Sequence, residues 1–559
     1  MSEQDDAPAT DSRTGRYSIG RRALLRAAGV GVGGAALSGT FGSVAADSDH
    51  YQGPVARTYE AATIDPSDIN QFGGGGNAAD DEGEGEAIDK VVPRKAPDAK
   101  GDRGGGGKVQ REAPEETLVE TDFEGMNALD VRGVVPSDAQ IAAGPADLVQ
   151  AINSQVGFFG RDGDQSFQAS LDAFFAPVSP LIDEGSPGSG FFESYIIFDP
   201  RARYDPDSGR FLLACVDYSL ETGLGAILLA VSSSSNPMDP WSLYRVPPVA
   251  QQGETPVPGL VDYPQLGYDD EAVYLTQNFF PGAFSQATMV ALDKSAATAG
   301  EAADANHFTG LRNPDGSLAF TVQPADGGGY FVNSTYFQGQ TLTLWSTTDP
   351  LSSDPTLTNE AVGVEPYTNP PEGANQPDTE EKIDMGDDRI LRVSYDGDSV
   401  WASHTIDDGR ARWYELAPNG DDPAAVRRSG AFRERGEKTF YPAIAADGDD
   451  AVFVYNRSSP KDNGDGFVDI GVAAVGDGEV SAFETVKGGD SDYDYVDGGE
   501  GDDGTQTLRW GDYNGIETDP AGDGFWVVSQ YGMGVDLGGD EQLEDDFYGA
   551  RIAKVSVDG

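Results

Sequence analysis

The chain has one cysteine, three histidines and little positive charge. With Cys215 alone, no disulfide can form within the chain. Stability must therefore come from burial and hydrogen bonding, with bound metal as the other available source. His50, His307 and His404 are a thin supply for histidine-based catalysis. A Ser-His-Asp triad needs a base held by a buried acid and touching the nucleophile, and no serine stands in a G-x-S-x-G elbow. His404, at the end of a strand-like run, is expected to be a structural polar residue, and His307 to lie in a loop. Cys215 follows the apolar run Phe211-Leu212-Leu213-Ala214, where a buried, inert thiol is the default. Lys and Arg number 37 against 95 Asp and Glu, a formal net charge of −58. That balance excludes nucleic acid as a natural partner, because phosphate binding needs a basic footprint, and it disfavours anionic membrane surfaces. No run reaches the ~20 apolar residues of a transmembrane span.

The acidity itself is informative. So many like charges destabilise a compact state at ordinary ionic strength. In molar salt the Debye length shrinks to about 3 Å and the repulsion nearly vanishes. We therefore read the composition as adaptation to concentrated salt. At the N-terminus, Arg21 and Arg22 precede a Gly- and Ala-rich apolar run from Ala27 to Leu37, and then the small residues Ser43-Val44-Ala45-Ala46. Twin arginines, a mild apolar segment and a small-residue cleavage site, in that order, resemble a twin-arginine export signal. The expectation is an exported protein, extracellular or at the cell surface, with the twin-arginine translocase as a transient partner. The triplets beginning at Asn333 and Asn456 read as glycosylation sequons.

Residues 1–46 form the export signal on this reading, and 47–125 a disordered Gly/Asp/Glu-rich tether with too little apolar surface to offset its ordering entropy. Beyond Val131 short β-rich runs alternate with Asp/Gly turns. Three stretches share one pattern, "DYPQLGYDDEAVYLTQN" from Asp262, "FYPAIAADGDDAVFVYN" from Phe440 and "GDYNGIETDPAGDGFWVVSQ" from Gly511. In each a Tyr is followed three residues on by Leu or Ile and six on by Asp. The trios are Tyr263, Leu266, Asp269; Tyr441, Ile444, Asp447; and Tyr513, Ile516, Asp519. Looser copies of the hairpin occur near Gln140, Ala202, Asn333 and Arg392. Seven hairpins, with outer strands such as Ile227–Val231 and Met289–Leu292, predict an all-β fold over 126–559. It is a β-propeller of seven blades, with six or eight as alternatives and a pair of β-sandwiches as the competing architecture. The final strand, Arg551–Val555, is expected to close the ring beside N-terminal strands.

The stretch "RWGDYNGIETDP", followed by "GFWVVSQY" and "YGARIAKV", resembles the closing segment of a family of large secreted propeller-like proteins, mostly without assigned activity. "VPSDAQIAAGPADLVQAIN" is similar to the opening segment of that family, and "RILRVSY", "WASHT", "ARWYEL" and "FYPAIAADGDDAVFVYNRSS" are similar to its later blades. The likeness runs in order over nearly all of the chain after Val131. It implies a propeller and secretion, not a reaction. Departures are the acidity, an insert at Pro180–Phe192 and the acidic run at Gly488–Gly504.

Propellers host glycosidases, which use paired carboxylates or a Tyr with an acidic partner. Asp262 beside Tyr263 and Asp512 beside Tyr513 supply such pairs, and Arg389, Arg392, Arg412 and Arg509 supply guanidiniums. No clean S-x-D-x-G-x-x-W box is present. The candidate ligand-binding residues are thus Arg509, Asp512, Tyr513, Asp262, Tyr263 and Arg412. Trp241, Trp345 and Trp413 are candidates for stacking on sugars, against the alternative that they pack between blades. "DNGDGFVD" offers Asp462, Asn463, Asp465 and Asp469 as oxygen ligands for Ca2+, without the EF-hand's flanking acids; solvated loops are the competing reading. The leading expectation is extracellular recognition or scaffolding with a glycan or protein ligand. Glycoside hydrolysis of a polysaccharide or glycoconjugate is the alternative.

Overall fold

A computed structural model of the chain describes residues 50–69, 92–93, 118–131, 135–179, 195–219, 222–249, 257–281, 286–370, 373–377, 379–418, 425–433, 437–448, 450–458, 466–476, 479–493, 507–536 and 547–557. The expected export signal, Arg21 and Arg22 included, and most of the expected tether lie outside these residues, as do Asp462, Asn463 and Asp465.

Seven antiparallel sheets of at least four strands follow one another along the chain. The first contains Gln140–Ala143, Asp147–Ile152, Gln155–Gly160 and Gln165–Ser170. The inner strands of the next five are Tyr195–Asp205, Leu260–Tyr268, Gln323–Pro324, Arg392–Tyr395 and Lys438–Asp447, each followed outward by the next three strands of its sheet. The seventh sheet runs Gly515–Thr518, Phe525–Met533, Phe547–Val555 and then, from the start of the chain, Val119–Glu124. Each inner strand packs against the inner strand of the next sheet, and the seventh packs against the first. The ring is closed: the protein is a seven-bladed β-propeller.

Burial follows from that arrangement. A blade is covered on both faces by its neighbours, so its middle strands are apolar throughout instead of alternating. Gly225–Ser232 and Ala272–Phe280 are buried along almost their whole length. Trp241 lies among Phe158, Phe174 and Phe211, and Trp401 stacks on Trp413 at 5.9 Å. Trp345 is buried with Tyr274 and Phe331. All three tryptophans proposed as sugar platforms are therefore packed in the core.

The structure corrects three expectations. Gln52–Tyr59 adds a fifth strand to the third blade, Ala62–Ile64 a fifth to the second, and Val119–Glu124 the outer strand of the seventh. These pieces of the expected tether belong to the propeller, because an open sheet edge offers unpaired backbone groups that any nearby strand can satisfy. Near Asn333 the hairpin is made by the second and third strands, Tyr330–Ser334 and Gln338–Thr348, the inner strand being the short Gln323–Pro324. His307 lies in the strand Ala303–Thr309, buried and hydrogen-bonded to Tyr59 Oη at 2.6 Å. Arg551–Val555 closes the ring on Val119–Glu124 as expected.

Adjacent blades are tied by a repeated polar link. A side chain at the end of one blade's second strand accepts from the backbone at the start of the next inner strand: Asn153 Oδ1 from Asp199 N–H, Asn278 Oδ1 from Thr321 N–H, and Thr405 Oγ1 from Tyr441 N–H. Ser334 Oγ donates to Asp388 O, and Asn456 accepts from Asn514 Nδ2. Of these starting residues Asp199, Thr321 and Tyr441 adopt φ near +50°, as do Asp138 and Tyr263 at the same place in their own blades. Such a backbone is costly for non-glycine residues and persists only where its surroundings hold it.

Candidate functional site

The inner strands all begin at one end of the ring, so the residues just before them or early in them crowd the mouth of the central channel. Asp138, Asp199, Tyr263, Asp388, Tyr441 and Asp512 come from six blades, and all are buried. Asp512 N–H donates to Asp138 Oδ1 at 2.8 Å, and Asp199 Oδ2 accepts from Tyr263 N–H at 3.1 Å. Burial, reinforced by the neighbouring Asp512 and Asp199 charges, raises Asp138 well above the usual carboxylate range.

Three guanidiniums converge here. Arg509 pairs with Asp512 at 3.1 Å. Arg201 lies over the Tyr513 ring at 3.2 Å and over Tyr263 at 5.0 Å, while Arg389 lies over Tyr263 at 4.1 Å. Tyr263 and Tyr513 meet edge to face at 5.7 Å. The result is a ladder of cations and rings across the mouth, anchored where Arg201 Nε donates to Pro264 O and Tyr513 Oη to Pro200 O. Five of the six expected ligand-binding residues, Arg509, Asp512, Tyr513, Asp262 and Tyr263, fall in this region. Arg412 does not: it stands on the third strand of the fifth blade, over Tyr414.

The RWGDYNG segment joins two structures. Thr507–Leu508 pairs in parallel with Lys382–Ile383, which pairs with Ala374–Asn375, forming a small three-stranded sheet packed with Trp510 and Tyr441. Trp510 meets Tyr493 edge to face at 5.0 Å. Asn514 then clamps three blades, donating to Tyr441 O and Asn456 Oδ1 and accepting from Gln140 Nε2 at its carbonyl. Gly515 is required by close approach, because a Cβ there would stand 2.7 Å from Ile141 N and 2.9 Å from Gln140 Cα. The motif is where the seventh blade meets the first.

The fourth blade carries what sequence reasoning missed. Beside the mouth Phe337 is 58% exposed and has φ of +73°, an unusual backbone for a bulky residue. Its ring lies 4.1 Å from that of Tyr336, which lies 4.8 Å from Phe320. Tyr336 Oη donates to Asp387 Oδ2 at 3.2 Å, and Asp387 holds Arg389 at 2.6 Å. Phe337 N–H donates to Asp388 Oδ1 at 3.0 Å. An aromatic shelf with Phe337 at its exposed edge is thus hydrogen-bonded to the charged mouth. Nothing in the run Thr335-Tyr336-Phe337 distinguishes it from ordinary strand composition; its exposure comes from the turn.

Other candidates have structural duties. His404 is buried between Asp388 O at 2.8 Å and Tyr414 Oη at 3.0 Å, and burial lowers it to about 4. The Cys215 thiol is pushed well above its ordinary value by burial. Asn333 and Asn456 are buried, so the folded chain does not offer them for glycosylation: Asn333 Oδ1 accepts from Trp345 Nε1, and Asn456 Nδ2 donates to Gln530 O. Asp469 is held by Arg457 at 2.5 Å. Among the described residues no group of three or more His, Cys, Asp or Glu is placed to hold a metal ion. Among them, too, no helix is long and apolar enough to cross a membrane.

No family model and no curated protein sequence matches the chain. Solved structures resemble it in fold. The arabinanase of Bacillus subtilis is 12% identical, with 61% of this chain and 94% of that one covered at a TM-score of 0.26. The alpha-L-arabinanase of Cellvibrio cellulosa complexed with arabinohexaose is 11% identical, with 62% and 94% covered at 0.27. A neuraminidase-like protein of A/little yellow-shouldered bat/Guatemala is 11% identical, with 61% and 94% covered at 0.31.

Proposed function

We propose that this is an exported, salt-adapted propeller that recognises a glycan at the mouth of its channel. The observation that carries the reading is the aromatic shelf of exposed Phe337 and half-buried Tyr336 and Phe320, tied through Asp387 to Arg389 and the mouth. Aromatic faces pack on the apolar faces of sugar rings, while rim carboxylates and guanidiniums hydrogen-bond hydroxyls. A rigid ring of blades holds such a surface without ordering cost on binding.

Recognition is preferred to catalysis because the deeper groups are already engaged with one another. Asp138 accepts from Asp512 N–H and from Asn153 Nδ2, and Arg201 is held beside two tyrosine rings. Hydrolysis is the second reading. It is favoured by the unlike environments of Asp138, whose carboxyl burial raises well above the usual carboxylate range, and Asp512, paired with Arg509.

Calorimetric titration of a panel of neutral oligosaccharides in molar KCl tests both. Binding by at least one, weakened about tenfold or more in Phe337→Ala (roughly 1.4 kcal/mol), is the expected result. Binding that ignores Phe337→Ala and Tyr336→Ala overturns the shelf. Turnover of any chromogenic glycoside, lost in Asp138→Asn, would replace recognition by hydrolysis.

A further inference from the structure

Below the mouth, on and beside the inner strands, lies a second polar cluster that recognition at the mouth does not use. Arg203 from the second blade and Arg392 from the fifth straddle one carboxylate, that of Asp326, which follows the fourth inner strand. Arg203 Nε is 3.0 Å from Oδ1, and Arg392 Nη2 bonds Oδ2. Arg203 Nη1 also donates to Gln140 Oε1 at 3.0 Å, and Arg392 Nη2 to Ile516 O at 3.1 Å. Glu517, on the seventh inner strand, completes the group and is within electrostatic reach of Asp326 and both arginines.

These side chains are more than nine-tenths buried: Arg203 is 1% exposed, Arg392 3% and Glu517 5%. Yet Arg203 Nη2, Arg392 Nε and Arg392 Nη1 have no hydrogen-bond partner within the protein, nor has either polar atom of the Gln323 amide. Buried guanidinium donors left unmade are expensive. Charge points the same way. Burial and the adjacent Asp326 raise Glu517 well above the usual carboxylate range, which favours its neutral form. Two guanidiniums then face one carboxylate. Nearby Asp205 is already matched by Lys294 at 3.1 Å, and Arg201 above adds further positive charge. Buried positive charge in this cluster is left in excess of its counterions.

We propose that the channel holds a small monovalent anion, chloride in a chloride medium, bound by the unpaired guanidinium nitrogens of Arg203 and Arg392. The anion supplies the missing acceptor and balances the charge. The site ties the second, fourth, fifth and seventh blades together across the axis, so its occupancy should be read in the stability of the whole ring.

Crystals of the full chain grown in NaBr test this directly. The expected result is an anomalous bromide peak within hydrogen-bonding distance of both guanidiniums. Bromide found only at the surface, with water alone in the channel, overturns the proposal. In solution the melting temperature should be higher in KCl or KBr than in potassium gluconate at equal ionic strength. That difference should disappear in Arg392→Gln. A difference that persists there would assign the effect to the surface; should that variant fail to fold, the bromide crystal of the unaltered chain decides.

Discussion

Asp388 shows how one residue can set the pH response of this fold. Its Oδ1 accepts from Phe337 N–H, while Oδ2 is buried with no hydrogen-bond partner. Burial, and then the adjacent Asp387 charge, raises it from 3.8 to about 7. The native state therefore keeps a proton that the unfolded chain releases between about pH 4 and 7. Stability from this group falls as pH rises through that window and is level above it. His404, lowered to about 4 by burial, acts in the opposite sense: stability from it is lost as pH falls below 6.5. Asp388→Asn keeps the acceptor for Phe337 and removes the titration. We expect the variant to gain on the parent by several degrees in melting temperature at pH 8 relative to pH 5. A difference between the two proteins that does not change with pH would show that Asp388 is not held protonated.

At the scale of the element, closure of the ring depends on a strand from the other end of the chain. Val119–Glu124 pairs with Phe547–Val555, and Arg551 bonds both Asp122 and Glu124. Phe123 packs against Phe159 and Trp526. Deleting residues 1–125 exposes the edge of Phe547–Val555, a template for pairing with other chains. We expect that truncation to melt lower than the parent and to aggregate with rising concentration, whereas deletion of residues 1–49, which spares every described strand, leaves melting unchanged. Equal melting of both truncations would make the outer strand dispensable. The Tyr-Leu-Asp trios made the inner hairpins legible, because Asp269 and Asp519 cap the turns that end their strands while Leu266 and Ile516 fill the core. The short fourth inner strand carries no such trio and escaped. The strands before residue 125 escaped for another reason: their stability comes from an edge hundreds of residues away, and their own composition is that of a tether. The mouth was half legible. Tyr263, Tyr513 and Asp512 repeat in sequence, but Arg201 and the Phe337 shelf are brought to them only by the closure of the ring.

For the whole molecule the governing quantity is the net charge of −58, carried by 95 acids against 37 bases. Many of those bases are already committed in pairs, Arg161 with Asp519 at 2.5 Å, Arg245 with Asp217 at 2.7 Å and Arg457 with Asp469 at 2.5 Å. Such pairs tie blades and strands locally but leave most acids facing their own kind. At 0.1 M salt the Debye length is about 10 Å, long enough for carboxylates on neighbouring blades to repel. At about 1 M it is near 3 Å, and the charge repulsion that works against the apolar packing between blades is largely removed. The melting temperature should therefore climb steeply between 0.1 and 2 M KCl and flatten above. Potassium gluconate should reproduce the climb, because screening does not depend on the anion's size, while falling short of KCl by the contribution of the channel site. Circular dichroism melts across both salt series separate the two effects. A flat response in both salts would mean that the surface acids stabilise nothing by being screened, and the charge would need another explanation.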